Sequence, residues 1–472
     1  MKWLASVLLC LSLIAAEKWT VDDILLQEQV GAIEISRDGR FAVYTKSRID
    51  KDKGESVSHI WLRRFDDPEP IQLTRGQDSA SSPKISPSGK LIAFLTSRRS
   101  APQGSGSSTG SSSSEPSGQQ IWLMNTSGGE PWQLTRMERG VRTFDWISDD
   151  ALAVAAQEDP TLYHQKIREA KDTSNVVDDE ENEPPVRLFR VEIKGGKVTR
   201  LTTNNDRITS VDVSPDGQWA LTVHNRSLAE IYNQKIKPVT FLHHLSTGRS
   251  VELFSGQKLY PRSFHWKKDS KSFYFTAPYT THPYLFNASV TKLYHFPLSL
   301  AEPLDAAAKA RPAEVALDWE NGLAGSPAAL PDGFLALLAN GARNRVARYF
   351  ESGNAWRREW VETPDAHQIV SSLDGSRIIY MRSNASSPAV YVAARPAGNR
   401  LEDAKTIIEP NENFRKKTIA RTEVIRYKGA LDDEIEAILY YPHNYEPGRK
   451  YPLVVMIHGG PHGHDADAFR ES

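Results

Sequence analysis

The residues with the most chemical potential lie near the end of the chain, at His458-Gly459-Gly460-Pro461-His462-Gly463. They come after a continuously apolar run, Pro452–Ile457 (PLVVMI), which reads as a strand covered on both faces. Glycines let a backbone approach a substrate closely and adopt unusual dihedrals. Such a turn after a buried strand can aim backbone N–H groups at the oxyanion that develops in acyl transfer. Gly460 is the expected donor, with Gly459 shaping the turn and with His458 and Pro461 supporting the loop. A tight glycine turn without chemistry is the bland alternative. His458, His462, His464, Asp465 and Asp467 are metal-capable types, but their spacing fits no standard zinc pattern, so neither metal nor cofactor is expected. Gly106-Ser107-Ser108-Thr109-Gly110 satisfies G-x-S-x-G in letters only. A nucleophile elbow needs a strand before it and a helix after it, and Ser108 sits in a Ser/Gly tract.

Upstream, two phrases alternate along most of the chain. The first is a polar turn leading into a short apolar strand, with turn centres at Asp38, Ser88, Asp149, Asp216, Asp269, Asp332 and Asp374. Asp-Gly or Ser-Gly between strand-like runs signals a hairpin. The second is another strand, as in His59-IWLRRF, Gln120-IWLMNT and Arg187-LFRVEI, closing three times on Leu-Thr: Leu73-Thr74, Leu134-Thr135 and Leu201-Thr202. Seven copies at roughly 55 residues each suit four-stranded blades with insertions. The repeats therefore predict a mainly β chain built on a seven-bladed β-propeller over 17–417, rather than an irregular sandwich or β-helix. A closure in which the segment near Val21–Val30 pairs into the last blade is expected, unless that segment packs on the residues after Lys417. Ser100–Gly118 is a loop by composition. Gln157–Pro185 holds a helical stretch (LYHQKIREAK) and an acidic run, Asp178–Glu183, read as a solvated loop.

After Lys417 the pattern changes to three strand-like runs, Thr422–Tyr427, Glu434–Tyr441 and Pro452–Ile457, leading into the glycine turn. That order matches the opening strands of an α/β-hydrolase, whose third strand leads into an oxyanion-hole loop. Residues 418–472 are thus expected to be the N-terminal part of such a domain.

The remaining composition narrows the class. Lys and Arg number 58 against 59 Asp and Glu, a net charge of -1 with no basic block, which argues against nucleic acid as a partner. The single cysteine, Cys10, lies in an N-terminal apolar run after Lys2 that ends Ala15-Ala16. This is the pattern of a secretory signal peptide over 1–16, so the protein is expected to be exported, periplasmic or secreted. No later apolar run reaches the length of a membrane span.

Together these residues resemble the prolyl oligopeptidase family of serine peptidases, in its acylaminoacyl-peptidase and dipeptidyl-peptidase branch. The matching residues are Lys18-Trp19-Thr20-Val21-Asp22-Asp23, the Ser-Pro-Asp-Gly turns, the acidic insert before Arg187-Leu188-Phe189, Glu434-Ile435-Glu436-Ala437, and Tyr451–Val455 leading into the glycine turn. The resemblance implies hydrolysis of short peptides by a Ser-Asp-His triad shielded by the propeller. In the family that triad lies downstream of the glycine turn. No catalytic residue is therefore expected among these 472, and the chain is expected to be an N-terminal fragment, inactive alone. The rival expectation is a TolB-like, non-catalytic propeller that binds partners. Oligomeric state has no signature here.

Overall fold

The computed structural model describes residues 17–99, 118–157, 162–171, 180, 182–230, 236–282, 289–301, 303–353, 355–459 and 463–470. Ser108, Gly460, Pro461, His462 and the expected signal peptide lie outside the described residues.

Strands fall into seven antiparallel four-stranded groups, spanning 29–72, 80–133, 141–200, 207–253, 263–314, 328–361 and 366–408. A single parallel pairing, Val186 with Arg207, links the third and fourth groups. In each group the predicted polar turn joins the first strand to the second, as Ser36–Arg40 joins Gln29–Ile35 to Phe41–Asp50. Serine explains four of these turns. The hydroxyls of Ser36, Ser86, Ser214 and Ser372 accept from the backbone N–H groups of Phe41, Leu91, Trp219 and Arg377 at 3.0–3.1 Å. The Leu-Thr phrase has a similar task. The hydroxyls of Thr74, Thr135 and Thr202 each accept, at 2.9 Å, the N–H of Ile60, Ile121 or Leu188 in the third strand of their own blade.

Seven hydrophobic cores, one between each pair of neighbouring blades, hold the ring together. Period-two alternation sends successive residues of one strand into two different cores. Phe41 and Val43 pack toward blade two, with Ile92 and Phe94. Ala42 and Tyr44, on the opposite face, pack against Ile379, Tyr391 and Ala393 of blade seven. That last core closes the ring. It does so without strand exchange, because every blade uses four strands consecutive in sequence. The expected pairing of Val21–Val30 into the last blade is therefore absent: Val30 pairs with Lys46 inside blade one. The segment before it instead binds the chain just beyond blade seven. Glu17 N–H donates to Lys416 O at 2.8 Å, and Trp19 Nε1 donates to Thr418 O at 2.7 Å. Thr20 and Asp23 form a capping box on the short helix Val21–Leu25. Lys417 Nζ stands 2.7 Å from Asp23, and this contact is the main reason the Asp23 carboxyl is lowered to about 2.

Candidate functional site

Two ends of the ring differ in what the sequence places there. The polar turns occupy one end. The connections between second and third strands occupy the other, and four of those are long: Thr96 to Gln120, Gln157 to Val186, Asn225 to Val239 and Tyr279 to Val290. In blades six and seven the same connections are short, Leu338 to Arg345 and Asn384 to Ser387. The chain after Lys417 docks on those two short connections through Glu436, Asp467 and Phe469.

The docking segment begins as a hairpin, Thr422–Lys428 paired with Glu434–Tyr440 in the register Thr422↔Tyr440. These are the first two strands that the sequence predicts. Glu436 Oε2 accepts the N–H of Ala342 at 2.7 Å, and its other oxygen holds Arg426 at 2.6 Å. Gly341 allows the approach, because a Cβ there would overlap the Glu436 carboxylate. Further on, Asp467 is 2% exposed. Its carboxylate accepts from Arg343 Nε at 2.7 Å and from Ala385 N–H at 2.9 Å, while its own N–H donates to Ala342 O at 2.7 Å. Phe469 completes the seat beside Trp19 and Phe414.

The third predicted strand requires correction. Pro452–Ile457 forms no ladder, and Leu453–Ile457 are 70–88% exposed. A strand exists only with partners for its N–H and C=O groups, and no described strand lies beside this run to supply them. His458 is likewise exposed, with Nδ1 3.0 Å from Gly459 O, and no described residue would meet a Cβ at Gly459. The described part of the loop is thus on the docking segment, solvent-facing, at the insertion end of the ring. The carboxylates of the metal-capable group face arginines: Asp465 meets Arg470 at 2.7 Å and Asp467 meets Arg343. The described carboxylates of the acidic run are bound rather than solvated. Glu180 accepts Leu228 N–H at 2.6 Å and Glu183 accepts Gln157 Nε2 at 2.6 Å, tying the insertion of blade three to blade four and to its own strand.

Sequence reasoning missed a charged lining of the ring interior. In the first strands, Ile33 and Ile35 turn toward blade seven, so Glu34 turns toward blade two, where Oε1 accepts Ile85 N–H at 3.0 Å. Lys84 turns in the same sense to Asp145 at 2.9 Å, and Asp145 Oδ2 accepts Val213 N–H at 2.8 Å. Asp212 comes next, in blade four. Burial pushes the carboxyls of Glu34 and Asp212 up to about 7, against the opposing pull of Lys84. Arg37 reaches across from blade one to donate to Pro215 O in blade four at 2.9 Å. The signal was present: Glu34, Lys84 and Asp212 each stand two residues before a turn serine.

Known proteins agree with this architecture. No family model matches the chain. A Bacillus subtilis protein described as the uncharacterized peptidase YuxL is 25% identical over 42% of this chain and 30% of its own length. The acylaminoacyl peptidase of Pyrococcus horikoshii superposes with a TM-score of 0.64 at 14% identity, over 94% of this chain and 62% of that one. The likeness to prolyl oligopeptidase-type peptidases stands. The β-propeller domain of the Trilobed protease from Pyrococcus furiosus, described as having an open velcro topology, superposes with a TM-score of 0.51 at 11% identity, over 82% of this chain and 97% of that domain. This chain therefore spans under two thirds of the acylaminoacyl peptidase and under one third of the Bacillus relative.

Proposed function

We propose that these residues form the propeller and the oxyanion-side segment of a serine peptidase that hydrolyses short peptides, by aminoacyl, acylaminoacyl or dipeptidyl release. One observation carries the reading: the segment bearing the glycine turn is anchored, through Glu436 and Asp467, at the end of the ring that also carries the long insertions. A ring whose long loops and acyl-transfer turn share one end can screen substrates by size before they reach the chemistry. Gly460 N–H would stabilise the oxyanion. Removing one such donor typically costs roughly 10²–10³ in rate. The nucleophile, acid and base come from outside these residues in this reading, and the 472 residues alone turn over nothing.

The test pairs a fluorophosphonate serine probe with aminoacyl and acylaminoacyl chromogenic peptides. A form carrying sequence beyond Ser472 should label and turn over, and the 472-residue chain should do neither. Labelling of a serine in the shorter chain, or none in the longer one, overturns the proposal and leaves the scaffold reading.

Export is part of the same proposal. Glu17, the first residue after the expected cleavage, is already paired to Lys416 and Thr418, so a mature start there keeps the tie between the N-terminal segment and the chain beyond blade seven. No helix among the described residues is long and apolar enough to cross a membrane. N-terminal sequencing of secreted material should read from Glu17 or its neighbours.

A further inference from the structure

A buried charge without a counter-charge is rare, because taking an ion out of water is costly unless a partner replaces the water. Arg63 is such a charge. It is 4% exposed, and its Nε and Nη1 are buried without a hydrogen-bond partner. Among the described residues nothing forms a hydrogen bond, ion pair or ring contact with its guanidinium.

Arg63 sits in the third strand of blade one, paired with Ala42. Trp61 and Phe65, two residues to either side, pack against the core shared with blade seven, so strand alternation turns Arg63 to the same seam. Tyr44 faces that seam too, 1% exposed, and its hydroxyl has no hydrogen bond among the described residues. Burial pushes the Tyr44 phenol above its usual range, and Arg63 is the main charge pulling the other way, so the two side chains are within electrostatic reach. From blade seven, Arg377 lies 5.4 Å over the Phe65 ring, and its Nε is also buried without a partner.

Carboxylates of the two facing blades are engaged elsewhere. Glu28 pairs with Lys46, Asp38 with Arg40, and Glu402 and Asp403 with Arg395. Asp374 accepts from the hydroxyls of Ser372 and Ser376. The seam thus gathers guanidinium and phenol donors around a positive charge that none of these carboxylates meets. An anion satisfies such a set of donors and offsets the charge. So little of Arg63 and Tyr44 reaches the surface that a small ion suits the place, whereas a large one must part the blades.

We propose that the seam between blades one and seven binds one inorganic anion of chloride size, held by the Arg63 guanidinium and the Tyr44 hydroxyl, and that this ion helps clamp the ring shut. The seam joins the two ends of the ring, so the ion acts on closure rather than on a single blade. Nothing in this depends on the peptidase reading, and no outcome below bears on it.

Calorimetric melts of the 472-residue chain at constant ionic strength, with sodium chloride replacing sodium gluconate, test the idea. A ligand that binds only the folded ring raises its melting temperature, and chloride at ten times its dissociation constant should do so by about 1–2 °C. Arg63→Met keeps the length of the side chain without its charge and should abolish the chloride dependence. Tyr44→Phe removes one hydroxyl and should weaken it. The chloride dependence is read within each variant, so a change in stability from the substitution itself does not enter. Crystals of the unaltered chain grown in sodium bromide should show an anomalous scattering peak beside Arg63, a readout that needs no variant. No chloride dependence in the unaltered chain overturns the proposal. So does an equal dependence in Arg63→Met, or bromide peaks only away from this seam. Stabilisation by sulfate in place of chloride overturns the assignment to a small ion.

Discussion

Asp467 and Arg343 are 124 residues apart in sequence and 2.7 Å apart in space, and the Asp467 side chain is buried while that of Arg343 keeps more than half of its surface in water. The pair fixes the end of the docking segment to the connection between the second and third strands of blade six. Because Asp467 also accepts Ala385 N–H, one side chain ties the segment to two blades at once.

Asp467→Ala should therefore loosen the docking segment without unfolding the ring. Loss of a buried acceptor that serves both a cation and a backbone donor costs about 2 kcal/mol or more. Hydrogen exchange should show the Ala385 amide losing protection by roughly 30-fold, with the inner strands unchanged. Undiminished protection at Ala385 would show that the hairpin and Glu436 hold the segment by themselves.

Gly39 and Gly54 separate backbone strain from crowding. Both have positive φ, +65° and +67°. A Cβ at Gly39 meets Ser376 and Arg377 of blade seven, whereas one at Gly54 meets nothing. Gly54→Ala should cost about 1 kcal/mol, the strain of a left-handed alanine. Gly39→Ala should cost about 2–3 kcal/mol, since the seam between blades one and seven must also move apart. Thermal melts of the two variants decide the matter, and equal losses would mean that the seam yields freely.

The interior carboxyls give a pH dependence with a defined sign. A carboxyl in an unfolded chain titrates near 4, but Asp212 and Glu34 do so at about 7 in the ring. Between those values the folded protein holds protons that the unfolded chain has released. Stability from these groups is thus fully present below about pH 4 and is lost as pH rises through 7. The melting temperature should fall by a few degrees at most between pH 6.5 and 8. Asp212→Asn, neutral throughout, should show a visibly smaller fall. Burial lowers His243 to about 3 and His265 to about 4, so these act in the opposite direction, below pH 6.5, outside that window. Identical slopes in wild type and variant would count against the raised Asp212 carboxyl.

Leu453–Ile457 should drive self-association of the 472-residue chain, because five consecutive apolar side chains with unpaired backbone form a template for intermolecular pairing. Met456→Lys should reduce light scattering at high concentration and leave the melting temperature unchanged, since Met456 is 88% exposed. Unaltered scattering would place the sticky surface elsewhere.

The ring was legible because its signals are local. Ser36, Ser86, Ser214 and Ser372 act within five residues of themselves, so each turn announces itself. The third run of the docking segment was legible as β-prone but forms no ladder, for the converse reason: an apolar run such as Leu453–Ile457 becomes a strand only when neighbours elsewhere flank it. Glu34, Lys84 and Asp212 escaped notice because a polar residue at every second position of a strand also describes a solvated face. Only the ring geometry turns that face inward.

Blades built from consecutive strands give the chain a particular order of assembly. Six of the seven cores join segments that are adjacent in sequence, so blades can add singly as the polypeptide emerges. The seventh core, where Tyr44 meets Ile379 and Tyr391, joins residues that only the finished ring brings together. Closing so long a loop costs roughly 3 kcal/mol more chain entropy than closing a short connector. No ladder between the described strands of blades one and seven offsets that cost; side-chain packing does, with the bonds from Asp374 N–H to Arg37 O, between Glu28 and Asn411, and from Glu17 and Trp19 to the chain beyond blade seven. Kinetically this seam is a clasp: the last joint to form and the first to part under heat or load.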